Sequence, residues 1–550
     1  MRKQILQRLF SVIILTVSGC VKSGFNAQDG YHSSSFSDNK TTQPEYLKRL
    51  NSFSLDLRWN ETNDISILQD LTHLTSLNLT LSGLGKADLS ILKNLNNLTT
   101  LSLDLNGTDV DINVLKELPN LTTLKLDLTR SDITDISVLK ELDKLTSLDL
   151  RLVEFSYESK STSPSTIKVS FVDQTNISVL KELKGLTNLN LYVKGSFSGQ
   201  SLVTQALKEL KNLTSLNLQL DDARADITQL KELQNLTTLS LNVLDYMNPN
   251  SNSQEKNIKT FFDTLGEFKK LTTISLTSDY YLLNQSASYL EKLKNLKTLS
   301  VHSADASDIT AIKKIKSLET LDLALNGDRV IDLTELNNLP NLKTLNLDLS
   351  ETNLRSIDIL KNLTNLTSLK FVFPNNIYTT NLNALKNLQN LTNLELQLSF
   401  GVNDISAIQD LKSLRSLTLN LNNHSSSNIT DIKSLAGLTT LTTLNLELPN
   451  LEQGKVFDIS AIKELNNLTA LTLDTLLAPS TDISALKQLK SLTLLALHTP
   501  QLTNESLLME LPRLTNVDIA GSKIKQLQNL PTGVTTLKLG SYTNDIMLSR

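Results

Sequence analysis

The chain has 550 residues, a hydrophobic fraction of 39%, a formal net charge of -4 and a single cysteine. That is enough apolar material for a large core. One cysteine excludes an internal disulfide and a thiolate zinc cluster, and a mildly acidic chain without basic blocks argues against nucleic acid as a partner.

Arg2, Lys3 and Arg8 form a basic start, followed by the apolar run Leu9–Val17. The run is far below the roughly 20 residues that a helix needs to cross a bilayer, so residues 1–19 read as a secretory signal. It ends in Val17-Ser18-Gly19-Cys20, which resembles the lipobox of bacterial lipoproteins. The resemblance implies cleavage before Cys20 and conversion of its thiol to a diacylglycerol thioether, a membrane anchor made of lipid alone. Residues 20–43 are rich in Ser, Asn, Asp, Gly and Lys and lack periodicity, so they read as a flexible tether.

From residue 44 to 550 one pattern recurs about twenty times, usually 22 to 27 residues apart. A fixed period in this range marks a solenoid. Its core is Leu-x-Leu-x-Leu, as in Leu101, Leu103 and Leu105, or Leu124, Leu126 and Leu128. Ahead of it the apolar residues fall every third position: Ile133, Ile136, Leu139, Leu142 and Leu145 lead to Leu148, Leu150 and Leu152. Period two is a strand with one buried face. Period three suits short 3₁₀ turns and drifts off any one face of a long α-helix. Asp135, Asp226, Asp308, Asp404, Asp431, Asp458 and Asp482 stand where they would cap such a turn. Asn97, Asn120, Asn212, Asn235 and Asn467 stand where the chain bends back, a place for left-handed backbone.

The stretch Asp135–Leu150 resembles the leucine-rich repeat of bacterial internalin-type surface proteins. The resemblance implies an α/β solenoid: a leucine-rich-repeat horseshoe with a parallel concave β-sheet and short 3₁₀ or helical return segments on the convex side. It departs from the family where Thr129, Asp221, Ser350 and Ser399 replace the asparagine after the strand, kept at Asn106, Asn326 and Asn422.

On such a body the residues between the strand leucines face outward. A hydroxyl column (Ser76, Thr100, Thr123, Ser147 and onward) precedes the first leucine, and either keeps the sheet soluble or offers a platform to glycans. The neighbouring columns hold Asp104, Asp127, Asp149, Asp322, Asp348, Glu395, Glu447 and Asp474 against Lys125, Arg151 and Lys370, a mildly acidic face. Aromatic and Arg side chains tend to dominate binding energy, so Arg151, Tyr192 and His302 are candidate partner-binding residues. Longer inserts after Leu152 and after Val243 add Phe155, Tyr157 and Tyr246 to the candidates, since insertions on one edge often build a site.

The histidines have no metal-ligand spacing, and no nucleophile elbow, phosphate loop or dinucleotide fingerprint is visible. No cofactor, metal or catalytic site is expected. The reading is a lipid-anchored protein at the outer membrane or cell surface that binds a protein or glycan ligand, in adhesion or host interaction. The alternative is a periplasm-facing scaffold organising envelope proteins or polysaccharide.

Overall fold

In the computed structural model the described residues lie between 51 and 548, apart from internal stretches of which 154–176, 243–253 and 279–290 are the longest. They form two compact units, one through Ser303 and one from Ala304. Each unit repeats one motif, a one-turn return segment followed by a short strand, with the strands of successive repeats paired in parallel. This is the solenoid that the leucine spacing implies, built of the leucine-rich repeats that the resemblance implies.

The period of three is written directly in hydrogen bonds. Leu68 N–H donates to Ile65 O at 3.0 Å, Leu71 to Leu68 at 3.1 Å and Leu74 to Leu71 at 3.0 Å. Each apolar residue therefore closes a three-residue turn onto the previous one, as 3₁₀ geometry requires. Ser66–Asp70, Ser137–Glu141 and Ser406–Asp410 are such turns. Switching to Ser76–Thr80 changes the period to two, and Leu77 and Leu79 drop into the interior at 1% and 0% exposure while Asn78 stays outside.

Two return segments of the first unit are true α-helices, Gln200–Leu207 and Gln254–Gly266. The second buries Phe261, Phe262, Leu265 and, just after it, Phe268, with the first two rings packed edge to face at 5.2 Å. An α-helix is wider than a 3₁₀ turn, and aromatic volume fills the added depth where leucine serves elsewhere.

The aspartates bond to the start of their turns, but from one residue ahead of the cap position, which Ile136, Ile405, Ile432, Ile459 and Ile483 occupy; Asp226 and Asp308 lie outside the described residues. Ser137, Ser406, Lys433, Ser460 and Ser484 each donate a backbone N–H to the aspartate two residues earlier, at 2.7 to 3.0 Å. Hydrogen bonds from the N–H and hydroxyl of Ser137 hold Asp135 below the usual carboxylate range, and those from the hydroxyl and N–H of Ser460 do the same for Asp458.

The bend asparagines act differently from expectation. Among the described non-glycine residues only Arg130 has positive φ, so these asparagines do not supply left-handed backbone. Instead Asn97 Nδ2 donates to Thr72 O, Asn120 to Asn96 O, Asn212 to Lys184 O, Asn235 to Lys211 O and Asn467 to Thr439 O, at 2.8 to 2.9 Å. Each amide ties its repeat to the one before. A second ladder escaped the sequence reading. Thr75, Thr99, Thr122 and Thr146 each donate Oγ1 to the backbone carbonyl of the equivalent residue one repeat back, at 3.0 to 3.2 Å. The same carbonyl takes two backbone N–H groups of the next repeat, as Thr75 O does from Thr99 and Thr100. Two residues beyond Thr129 and Ser350, which replace the post-strand asparagine, a buried hydroxyl bonds back to the chain, Ser131 Oγ donating to Leu128 O and Thr352 Oγ1 to Leu349 O; Ser399 Oγ is buried without a hydrogen-bond partner, and Asp221 lies outside the described residues.

Candidate functional site, the open face of the sheet

The parallel register aligns the outward residues into rows across the strands. In the first unit one row runs Asp104, Asp127, Arg151, Tyr192, Gln219, Asn242, Thr277 and His302. The row beside it runs Lys125, Asp149, Asn190 and Asn217. The strands Ser147–Val153 and Asn188–Lys194 extend two residues past the usual five, and they carry the two candidates that the structure brings together.

Arg151 and Tyr192 are direct cross-strand partners, with the guanidinium carbon 6.0 Å from the ring centroid. At this separation the cation is drawn to the face of the phenol ring. Arg151 is exposed and Tyr192 half-buried, so the pair presents a preoriented charge and an amphipathic ring to solvent. Beside it Asn217 Nδ2 donates to Asn190 Oδ1 at 2.9 Å, while Asp149 Oδ1 and Asn217 Oδ1 are shielded from solvent without a hydrogen-bond partner in the structure. Amides at the same strand offset in successive repeats were the available sequence signal for this pair.

His302 is exposed but lies four strands beyond Tyr192, about 19 Å at the usual strand spacing, and does not join the pair. Phe155, Tyr157, Tyr246 and Cys20 lie outside the described residues.

The acidic character of the face is partly structural. Asp104, Asp127 and Asp474, each the last residue of its strand, accept the backbone N–H two residues on, at 2.9 to 3.1 Å, and so fix the chain as it leaves the strand, while Asp348 makes the same bond within the strand Thr344–Asn353. Glu447 accepts from the amides of Asn420 and Asn422 at 2.7 Å, and Lys370 pairs with Glu395 at 2.7 Å. The hydroxyl column is half-buried on the same face, with Ser76, Thr100, Thr123 and Ser147 in cross-strand register.

His498, in the second unit, sits between two carboxylates, Nδ1 3.5 Å from Asp474 Oδ2 and Nε2 3.6 Å from Asp518 Oδ1. The Asp474 contact is the main cause of a pKa raised above the ordinary imidazole value. Desolvation works against ionisation of Asp474, but His498 and the Leu476 N–H together hold it below the usual range. Among the described residues no group of His, Cys, Asp and Glu is placed to hold a metal, and no helix is long and apolar enough to cross a membrane.

No family model matches the chain, and no curated protein does. Solved structures match it as repeat architectures. An internalin of Listeria monocytogenes is 20% identical over 78% of this chain and 88% of its own, with a TM-score of 0.27. A leucine-rich-repeat protein of Leptospira interrogans is 19% identical over 88% and 94%, with a TM-score of 0.33. TLR13, solved with ssRNA13, is 19% identical over 86% and 84%, with a TM-score of 0.46. These scores are low, so the fold rests on this chain's own strand ladder.

Proposed function

We propose that this protein binds a macromolecular partner, a protein or a glycan, on the open face of its sheet, with Arg151 and Tyr192 at the centre of the contact in the first unit. The observation that carries this is the cation–ring pair itself. Arg and Tyr are the residue types most often found to dominate interface energy. Here they stand side by side on neighbouring strands, so little side-chain freedom is lost on binding. Around them Asn190, Asn217 and Gln219 add hydrogen-bonding groups on a rigid backbone.

Location belongs to the same proposal. Lipidation at Cys20 would hold the solenoid on the membrane, at the outer surface, where a host protein or glycan can reach the face. Protease treatment of intact cells tests the placement, with a soluble periplasmic protein as the lysis control. Rapid loss of the solenoid while the control survives is the expected result. Protection until the envelope is permeabilised would reject surface exposure and turn the search to partners inside the envelope. Binding itself is tested by Arg151→Ala and Tyr192→Ala, each expected to weaken affinity about tenfold. Full affinity in the double variant would remove this face from the account.

A further inference from the structure

The second unit carries an interruption in the outward columns. In the described strands of the large parallel sheet the residue before the first strand leucine, or its equivalent, is Ser, Thr or Asn, except at Ala470 and Leu494. The residue between the two inward positions is Ser, Thr, Asn, Asp, Glu or Lys, except at Ala496. All three exceptions meet on one small area. Ala470 and Leu494 are cross-strand partners, and Ala496 lies two residues beyond Leu494 on the same face of its strand. Leu494 is 39% exposed, while Ala470 and Ala496 are half-buried. An isolated exposed leucine needs no explanation. Three apolar residues that break both columns side by side do.

The border of this area is charged. Asp518 is the cross-strand partner of Ala496, Asp474 that of His498, and Glu447 that of Asp474. His498 lies between Asp474 and Asp518, and Lys538 follows Asp518 in register. The carboxylates of Asp474, Asp518 and Glu447 outnumber the one imidazole, so they make this border acidic whether or not His498 carries a proton. Along the strands the carboxylates lie two to four residues from the level of Leu494, about 7 to 13 Å.

We infer that Ala470, Leu494 and Ala496, with the acids Asp474 and Asp518, form a second docking site, for a peptide segment of a protein partner that places an aliphatic side chain next to lysine or arginine. The aliphatic group covers Leu494 and the two alanines, removing apolar surface from water. The cation meets the acidic border, which adds steering and sets orientation. This site shares no residue with the Arg151–Tyr192 pair and stands or falls separately from it.

The probe is a dye-labelled peptide alternating Leu and Lys, titrated by anisotropy into the full chain, with Ser–Lys and Leu–Glu peptides as controls. The Leu–Lys peptide is expected to bind, more weakly at high salt, and both controls to bind at least about tenfold less tightly. Leu494→Thr with Ala496→Ser restores the residue types found at these positions elsewhere and is expected to cost about tenfold, with unchanged melting. Tyr192→Ala is expected to leave this affinity untouched. No binding by the Leu–Lys peptide, equal binding by Ser–Lys, or full binding by the restored variant each overturns the proposal. Concentration-dependent self-association that Leu494→Thr abolishes would also overturn it, by assigning the area to a second copy of the chain.

Discussion

Thr392 and Leu394 stand two residues apart at one strand entry, and replacing each separates the contribution of the hydroxyl ladder from that of the core. Thr392 Oγ1 donates to Thr367 O at 3.0 Å, but the N–H groups of Thr392 and Asn393 also donate to that carbonyl, at 2.8 and 3.1 Å. Thr392→Val therefore removes one donor and leaves no carbonyl unpaired. The cost is that of a single net hydrogen bond, about 0.5–1.5 kcal/mol. Leu394 is 2% exposed and faces the interior beside Leu369 and Leu417 of the flanking strands. Leu394→Ala removes buried methyl groups and leaves a cavity between stacked repeats, for about 2–5 kcal/mol. Urea unfolding compares the two variants, and hydrogen exchange at residues 392–397 checks that the loss is local, since repeat arrays need not unfold in one step. If Thr392→Val costs as much as Leu394→Ala, side-chain hydrogen bonds between repeats outweigh packing, and the reasoning fails.

Asp135, Asp332 and Asp458 have folded pKa values below their ordinary one, mainly through hydrogen bonds from the residue two positions on. Their contribution is present above the unfolded value of about 3.9 and is lost as pH falls through the lower folded values. Stability should therefore drop on the acid side of about pH 4, and the triple Asp→Asn variant should show a shallower drop in pH-resolved melting. His498 has the opposite sign. Its folded pKa is raised, so its contribution is complete below about 6.5 and fades as pH rises through the folded value. Proton NMR of the His498 ring should show the raised value in the wild type, and Asp474→Asn should move it back down. Gly107 has φ +67 with nothing within 4 Å of an added Cβ. Gly107→Ala should thus cost only the backbone strain of a left-handed residue, about 1 kcal/mol, read by thermal melting.

The solenoid was legible because its signal is repeated. The switch from every third to every second position survives at Leu139, Leu142, Leu145, Leu148 and Leu150, whatever stands between them. The aspartates at the turn starts were legible for a related reason, since accepting the N–H two residues on requires a short acceptor at one fixed offset, although the cap position itself falls to the isoleucine that follows. The asparagines were placed at the right bends with the wrong cause: their partner is a carbonyl one repeat away, a contact that local backbone preference does not reveal. The threonine ladder was hidden likewise, because Thr at a strand entry already has a local explanation in strand propensity. On the open face, equal strand offsets brought Arg151 against Tyr192, and that much was available from the repeat alignment. The role of Asp104 and Asp127 in fixing the turns after their strands was not, because a carboxylate in a column gives no sign of which N–H it accepts.

A photo-crosslinking residue placed on the open face tests the central proposal most directly. Tyr192→p-benzoylphenylalanine places the probe on that face, and Lys140→p-benzoylphenylalanine places it on an exposed return turn of a neighbouring repeat. Both are irradiated in intact cells in contact with their natural surroundings. The account predicts a discrete covalent adduct from position 192, suppressed by Arg151→Ala, and none from position 140. Adducts from position 140 alone, or from 192 regardless of Arg151, would contradict it.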